Sequence, residues 1–559
     1  MNKMFGKLLA LILVAILILA MVPAAYHSEQ VAKTEGKGFS IVSMQPDAVQ
    51  ALRAQGKKVN YPFPNTANKG KKFNPVGEKV LPLTTAAQQN VLVIFADFTT
   101  PPPGGPETRL DLGTYFDPML FGTLYNPPEY AGILNAPTDR TLKNYYSEVS
   151  YGHVTVGTLN MPSAMGWTQT NHPYDYYSKA DGIHDNGFGP YPQNAQGMVI
   201  DVVRAADAAG VNFAPYAING EVPNLFVVFR GTGAEWSGDP SLIWSHSWDL
   251  SQDSGTDLTV ADRTIDGVVI NNYAVMPEVG GDLTNYRQSP TGPTGPFPPT
   301  VGVYAHEYGH VLGLPDQYDY GYESDGTDVY SLMAGGSWNR YPSNQIFSGN
   351  SPAQLDAWSK YRLGFVTPTV INSTANVILP PAETNAVVYK MIVPNSGGKE
   401  YFLFENRQAI GFDQGLLRFG THGLAIYHVD DTVFTRNYWR PNEAENWKEF
   451  RSEGWRKAWT GETHYGISIM QADDQWDLEH AMFYWITPNV SSSLSGDLYP
   501  GLYNVTSFSS FTKPNSSNYY FWGGSDPKYG YSGVTVTNIQ EIDGVIKAKM
   551  SFVPWSSKK

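Results

Sequence analysis

The chain has 559 residues, more than one ordinary domain holds, and 42% of them are hydrophobic with 13% aromatic, enough for two or three packed cores. It contains no cysteine, which excludes disulfide scaffolds and every cysteine-based metal or redox motif. A formal net charge of −14 argues against nucleic acid and anionic membrane surfaces as partners.

The first 24 residues read as a signal peptide. Lys3 and Lys7 make a basic start, residues 8–22 are an unbroken apolar run, and Val22-Pro23-Ala24 offers small residues for cleavage. The run is shorter than the ~20 residues of a membrane span, so an uncleaved anchor is the lesser alternative. A cysteine-free exported chain fits a prokaryotic source. Residues 25–88 then carry nine Lys/Arg against four Asp/Glu, whereas positions 89–559 carry 27 against 48. Such a basic preface is either a solvated linker or a segment that docks on the acidic body until it is cleaved.

The body opens with NVLVIFADF (90–98), a continuous apolar run that predicts a buried strand. TLKNYYSEVSYG (141–152) predicts an amphipathic helix and HVTVGTL a strand after it. GMVIDVVRAADAAG (197–210) predicts a second helix ended by Gly210, and NLFVVFRG (224–231) a central strand. Residues 249–299 read as loop-rich, up to a helix that starts at Pro298-Pro299-Thr300 with Thr300 as its cap. Beyond Arg362 the pattern changes to short strands, NAVVYKMIV, EYFLFENR, GLAIYHV and GVTVTNI, with one helical stretch around 442–459. His422, His428, His464 and His480 lie there without metal spacing, and Glu405 and Arg407 read as a structural pair.

Residues 306–316, HEYGHVLGLPD, carry the chemistry. On a helix His306 and His310 share one face a turn apart, so both imidazoles can reach one metal. Glu307 leans toward that face and suits a general base for a metal-activated water. A hydrolytic zinc needs three protein ligands and one open position. A helix continued past His310 would carry Asp316 ~9 Å along the axis and onto another face. Gly313 can end the helix and Pro315 cannot continue it, so the chain can turn back and offer Asp316 as third ligand. A zincin using Glu323 instead is the alternative ligand set.

HEYGHVLGLPDQYD followed by YSLMAGGSWN resembles the immune inhibitor A family of secreted metallopeptidases. LKNYYSEVSYGHVTV, IWSHSWDL, EYFLFENRQAIGFD, GLAIYHVDD, ISIMQADDQWDL and GDLYPGLYNVTSF are similar to segments of the same family, so the resemblance covers most of residues 90–550. It implies zinc held by His306, His310 and Asp316, Glu307 as base, and Met333 in a turn beneath the metal. Gln317, where relatives often carry glutamate, is an unlikely ligand, which leaves Asp319 as the fallback for Asp316. SMQPDAVQALRAQGKKV (43–59) looks like the family's propeptide region, which favours the docking segment over the linker.

The expected architecture is a signal peptide (1–24), a propeptide (25–88), a mixed α/β metzincin-like zincin catalytic domain (89–365) and an all-β C-terminal region, a β-sandwich (366–559). The expected function is that of a secreted zinc endopeptidase made as a zymogen, a monomer acting on protein or peptide substrates. Tyr330 and Trp338 are candidate oxyanion donors. The acidic loops (Asp319, Glu323, Asp325 and Asp328; Asp473, Asp474 and Asp477; Asp249, Asp253 and Asp257) would suit structural calcium, although none has EF-hand spacing. The alternative from another class is a cell-surface adhesion protein that keeps an inactive protease-like domain.

Overall fold

The computed structural model describes residues 40–46, 87–102, 109–280, 298–443, 464–479, 494–520 and 530–554, with short gaps inside these ranges and isolated positions between 48 and 55. The signal peptide, most of the propeptide segment, Glu323, His480 and nearly all of the helix expected at 442–459 lie outside them; Asn442 stands in a turn. The fold is mixed α/β, with several sheets and few helices.

The main sheet has six strands: β1 (Ser40–Ile41), β2 (Leu92–Asp97), β3 (Trp167–Gln169), β4 (Leu225–Thr232), β5 (His246–Asp249) and β6 (Asn272–Val279), in the order β1-β5-β6-β4-β2-β3. β2, β3, β4 and β6 run parallel, and β5 is antiparallel to β6. Every residue of β2 is buried, as its unbroken apolar run predicts for a central parallel strand. β6 falls inside the stretch expected to be loop. Asn271, Asn272 and Pro277 are turn signals, but burial of Tyr273, Ala274, Val275 and Met276 prevails, and the register shifts between Pro277 and Val279.

Among the described residues three α-helices have eight residues or more. α1 (Leu142–Val149) is capped by Thr141, whose hydroxyl accepts from the Asn144 amide. α2 (Ala195–Ala208) is capped by Asn194 on the Gly197 amide, and Gly210 follows it at φ +95°. α3 (Val301–Val311) carries the HExxH residues and packs against β5 and β6. Thr300 stands at its N-cap position as expected, but its hydroxyl donates to Ser348 O at 2.8 Å rather than capping the helix. Among the described residues no helix is long and apolar enough to cross a membrane.

Among the described residues beyond Arg362, eight strands form two sheets. β7 (Thr369–Val370), β9 (Tyr389–Ile392), β10 (Glu400–Arg407), β11 (Gly423–Asp430) and β12 (Ile467–Ile469) make one, and β8 (Ala375–Leu379), β13 (Val534–Ile542) and β14 (Val545–Phe552) the other. The region is not purely β, since Asp431–Asn437 forms a helix. Strand alternation explains how it attaches. Tyr401, Leu403, Ala425, Tyr427 and Val429 point into the core shared with the zinc-motif region, while Phe402, Phe404, Leu424 and Ile426 point into a second core shared with β13 and β14.

Candidate metal centre

The expected bend after α3 is present. Gly313 sits at φ +97°, and its amide donates to His310 O at 2.9 Å while Leu314 N reaches Gly309 O at 3.0 Å. The chain turns back and buries Asp316 against both histidines. Asp316 Oδ1 is 3.1 Å from His306 Nε2 and 3.3 Å from His310 Nε2, and the two Nε2 atoms are 3.0 Å apart. Zinc–nitrogen bonds near 2.0–2.1 Å in a tetrahedral site set ligand atoms about 3.3 Å apart, so this triangle fits a zinc ion.

Protonation makes the fit specific. His306 Nδ1 lies 2.9 Å from Leu332 O, and His310 Nδ1 lies 2.8 Å from Leu314 O. A carbonyl only accepts, so both Nδ1 atoms carry the proton and both Nε2 atoms present lone pairs. Two lone pairs and a carboxylate oxygen then converge, an arrangement that repels itself until a cation enters. Burial lowers the His306 pKa. Among the described residues this trio alone brings three potential ligand atoms within 4.8 Å of one another.

Met333 lies under the same helix. A Cβ on Gly309 would stand 2.5 Å from the Met333 sulfur, so glycine lets the thioether pack directly against the helix. Met333 O accepts from Gln317 N at 2.8 Å, which fastens the turn to the ligand loop. The Gln317 side chain is engaged with Ser359 and Thr327, and Asp319 accepts from the amides of Gly321 and Ser324, so neither competes with Asp316.

Glu307 is fully buried, and neither carboxylate oxygen has a hydrogen-bond partner among the described residues. Burial, then the charges of Asp316 and Glu235, push its pKa well above the usual carboxylate range, an effect the nearby Val42 amide partly offsets. The cover is residues 40–45. β1 adds antiparallel to the edge strand β5, with Ser40 opposite Ser247 and Ile41 opposite His246. Val42 N donates to Ser245 O at 3.3 Å, Trp244 Nε1 to Val42 O at 2.8 Å, and Gln45 N to Glu235 O at 2.8 Å.

The two expected oxyanion donors separate. Trp338 Nε1 donates to Ser43 O at 3.0 Å, on this cover. Tyr330 is a correction: its hydroxyl is buried against Thr421 Oγ1, Leu494 O and Asp497 Oδ2 at 2.9–3.0 Å, a role in joining the C-terminal region rather than in the site. Two tyrosines not singled out from sequence stand closer. Tyr320 donates to Asp316 Oδ2, and Tyr318 donates to Ile41 O. Their spacing in PDQYDY, which begins one residue before Asp316, is the available signal.

Residues 292–366 match the family model described as immune inhibitor A peptidase M6, catalytic domain. This segment is similar to the catalytic domain of the immune inhibitor A peptidases. The chain is 28% identical over 286 residues to immune inhibitor A from Bacillus thuringiensis subsp. alesti, covering 47% of this chain and 36% of that protein. It is 25% identical over 270 residues to the pre-pro-metalloprotease PrtV of Vibrio cholerae serotype O1 (strain M66-2), covering 42% of this chain and 26% of the relative. The matched stretches thus span about a third or less of these relatives' lengths. All the expected ligand residues, the base and Met333 fall inside the matched segment.

Proposed function

We propose that the chain is an exported zinc endopeptidase. The observation that carries this reading is the meeting of His306 Nε2, His310 Nε2 and Asp316 Oδ1 within 3.3 Å, with both Nδ1 atoms committed to main-chain carbonyls. Zinc held by those three atoms would polarise the scissile carbonyl and acidify the attacking water. Glu307 would take the water's proton and return it to the departing amine nitrogen. Its high pKa in the covered state suits a group that must hold a proton briefly. Tyr320, donating to Asp316, fixes the orientation of that ligand.

The fold reading that accompanies this function is a metzincin-like zincin over 89–365 and a β-sandwich over 366–559. In its support, a mostly parallel sheet lies over α3, and two C-terminal sheets share a core. Synthesis as a zymogen is supported by residues 40–45, which pair with the edge strand, carry the Val42 amide beside the buried Glu307 and lie within the segment expected to be a propeptide. One relative is itself named a pre-pro-metalloprotease. Export rests on the basic-apolar start of the chain.

Metal removal tests the reading. Chelation should abolish casein hydrolysis by the secreted protein, and one equivalent of zinc should restore it. Hydrolysis that persists in metal-free protein would remove the zinc endopeptidase from consideration.

A further inference from the structure

Residues 40–45 are gripped mainly through their main chain. The β1–β5 ladder, Ser245 O, Trp244 Nε1, Tyr318 Oη, Trp338 Nε1 and Glu235 O all meet backbone atoms of the segment. An extended peptide of almost any sequence offers those same atoms, which is how strand addition binds peptides. The segment therefore occupies a general peptide groove.

Within that groove one peptide bond is distinguished. In an extended chain the N–H and C=O of a trans peptide point in opposite directions. The Val42 N–H points to the edge strand, at Ser245 O, and lies beside Glu307. The Ile41 carbonyl therefore points to the opposite wall, where Tyr318 donates its hydroxyl to it. Tyr318 is two residues beyond Asp316, is almost fully buried, and packs its ring 5.1 Å from that of Tyr320, which in turn donates to Asp316. The Ile41–Val42 bond thus has Glu307 near its nitrogen and a neutral hydroxyl donor on its oxygen.

We propose that residues 40–45 lie as a substrate lies, with Ile41–Val42 in the place of the scissile bond, and that Tyr318 is a catalytic residue donating to the carbonyl oxygen of the bond to be cut. This rests on the endopeptidase reading above. In a substrate, the water oxygen bonds to the carbonyl carbon, one water proton passes to Glu307, and the carbonyl π pair moves onto the oxygen. The Tyr318 O–H, keeping its own proton, donates more strongly to that oxygen as charge develops there. The C–N bond then breaks as the nitrogen takes the proton from Glu307, which leaves a carboxylic acid and an amine. The donor is uncharged and already aimed, so it gains strength only where charge appears.

The test compares Tyr318→Phe with the unmodified enzyme, both in their active, zinc-loaded form. Phenylalanine keeps the ring and removes only the hydroxyl. With an extended peptide substrate, kcat should fall by about 100-fold or more while KM changes within about threefold. Zinc content should not change. Binding supplies a readout apart from turnover: a phosphinic peptide carrying the Ile-Val isostere should bind the variant at least about 30-fold more weakly. The ordinary peptide copying residues 38–49, measured by anisotropy in the Glu307→Gln background, should change by less than about fivefold. Equal losses for the two ligands, or unchanged kcat and phosphinate affinity, would overturn the assignment. If the unmodified protein neither holds zinc nor cleaves peptides, the endopeptidase reading itself fails. If it does both and Tyr318→Phe is indistinguishable from it, only this inference fails.

Discussion

His306 and His310 face each other nitrogen to nitrogen at 3.0 Å, while the second nitrogen of each is held by a main-chain carbonyl. With both rings neutral, the two Nε2 lone pairs meet at a distance that a shared cation would relieve. Asp316 closes the triangle, so Asp316→Ala should lose both bound zinc and hydrolysis, because two imidazoles alone hold zinc weakly. Asp319→Ala should keep both, since that carboxylate serves a turn. Metal analysis of the two variants checks the assignment, and the reverse pattern would move the third ligand to Asp319.

The floor of the site depends on one missing methyl group. Gly309→Ala would put a Cβ 2.5 Å from the Met333 sulfur, directly under the helix that bears both histidines. Overpacking of this kind costs about 1–3 kcal/mol. The variant should melt lower and bind zinc more weakly. Unchanged melting and zinc affinity would mean that Met333 can move aside freely.

Much of this was legible in the chain, and for definite reasons. His306, Glu307 and His310 share a helix, so their relation follows from periodicity alone, and Gly313 and Pro315 announced the bend. Strands buried on both faces, such as Leu92–Asp97, declared themselves as unbroken apolar runs. What escaped depended on distant partners. Asn272–Val279 looked like loop because its flanks are turn residues, yet parallel pairing with Leu225–Thr232 makes it a central strand. Tyr330, near Met333 in sequence, turns its hydroxyl toward Leu494 and Asp497, more than 160 residues away. The charge contrast led to an expectation of electrostatic docking. The basic residues behind that expectation lie outside the described residues, and the described contacts of residues 40–45 are mainly main-chain hydrogen bonds and the burial of Ile41 and Val42.

Those contacts make latency testable in the full-length chain. Val42→Pro removes the donor to Ser245 O and disfavours the strand, so it should weaken the cover over Glu307. The expected result is higher peptidase activity before any cleavage of the N-terminal segment. A full-length variant no more active than its parent would argue that residues 40–45 do not limit access.

The C-terminal sheet is tied to the segment around Tyr330 by a buried cation. Arg407 Nη1 donates to Tyr330 O at 2.7 Å, its Nε and Nη2 bind Asp413 at 2.7–2.8 Å, and Glu405 lies 3.3 Å away. Arg407→Ala would leave these carboxylates buried without their main cation, a change that typically costs 3–5 kcal/mol. Urea unfolding should register a loss of that order. A variant of native stability would show that the network contributes little.

Glu235 supplies a pH signature. It is fully buried, and burial raises its carboxyl from 4.5 to about 7, with the Ser245 amide and hydroxyl pulling it only partly back. The folded state therefore holds this proton more tightly than the unfolded state does. Its stabilising contribution is complete below pH ~4.5 and is lost as pH rises through ~7, a difference on the order of 3 kcal/mol. Glu235→Gln should flatten the decline in unfolding free energy across that window. An identical slope in the variant would assign the decline to other groups.

The central claim is that Glu307 acts as a base beside a metal it does not bind. Zinc content and casein hydrolysis measured on the same preparation of Glu307→Ala test it most directly. The account predicts about one zinc per chain, as in the parent, with nearly all hydrolysis lost. Undiminished hydrolysis, or loss of zinc along with activity, would contradict it.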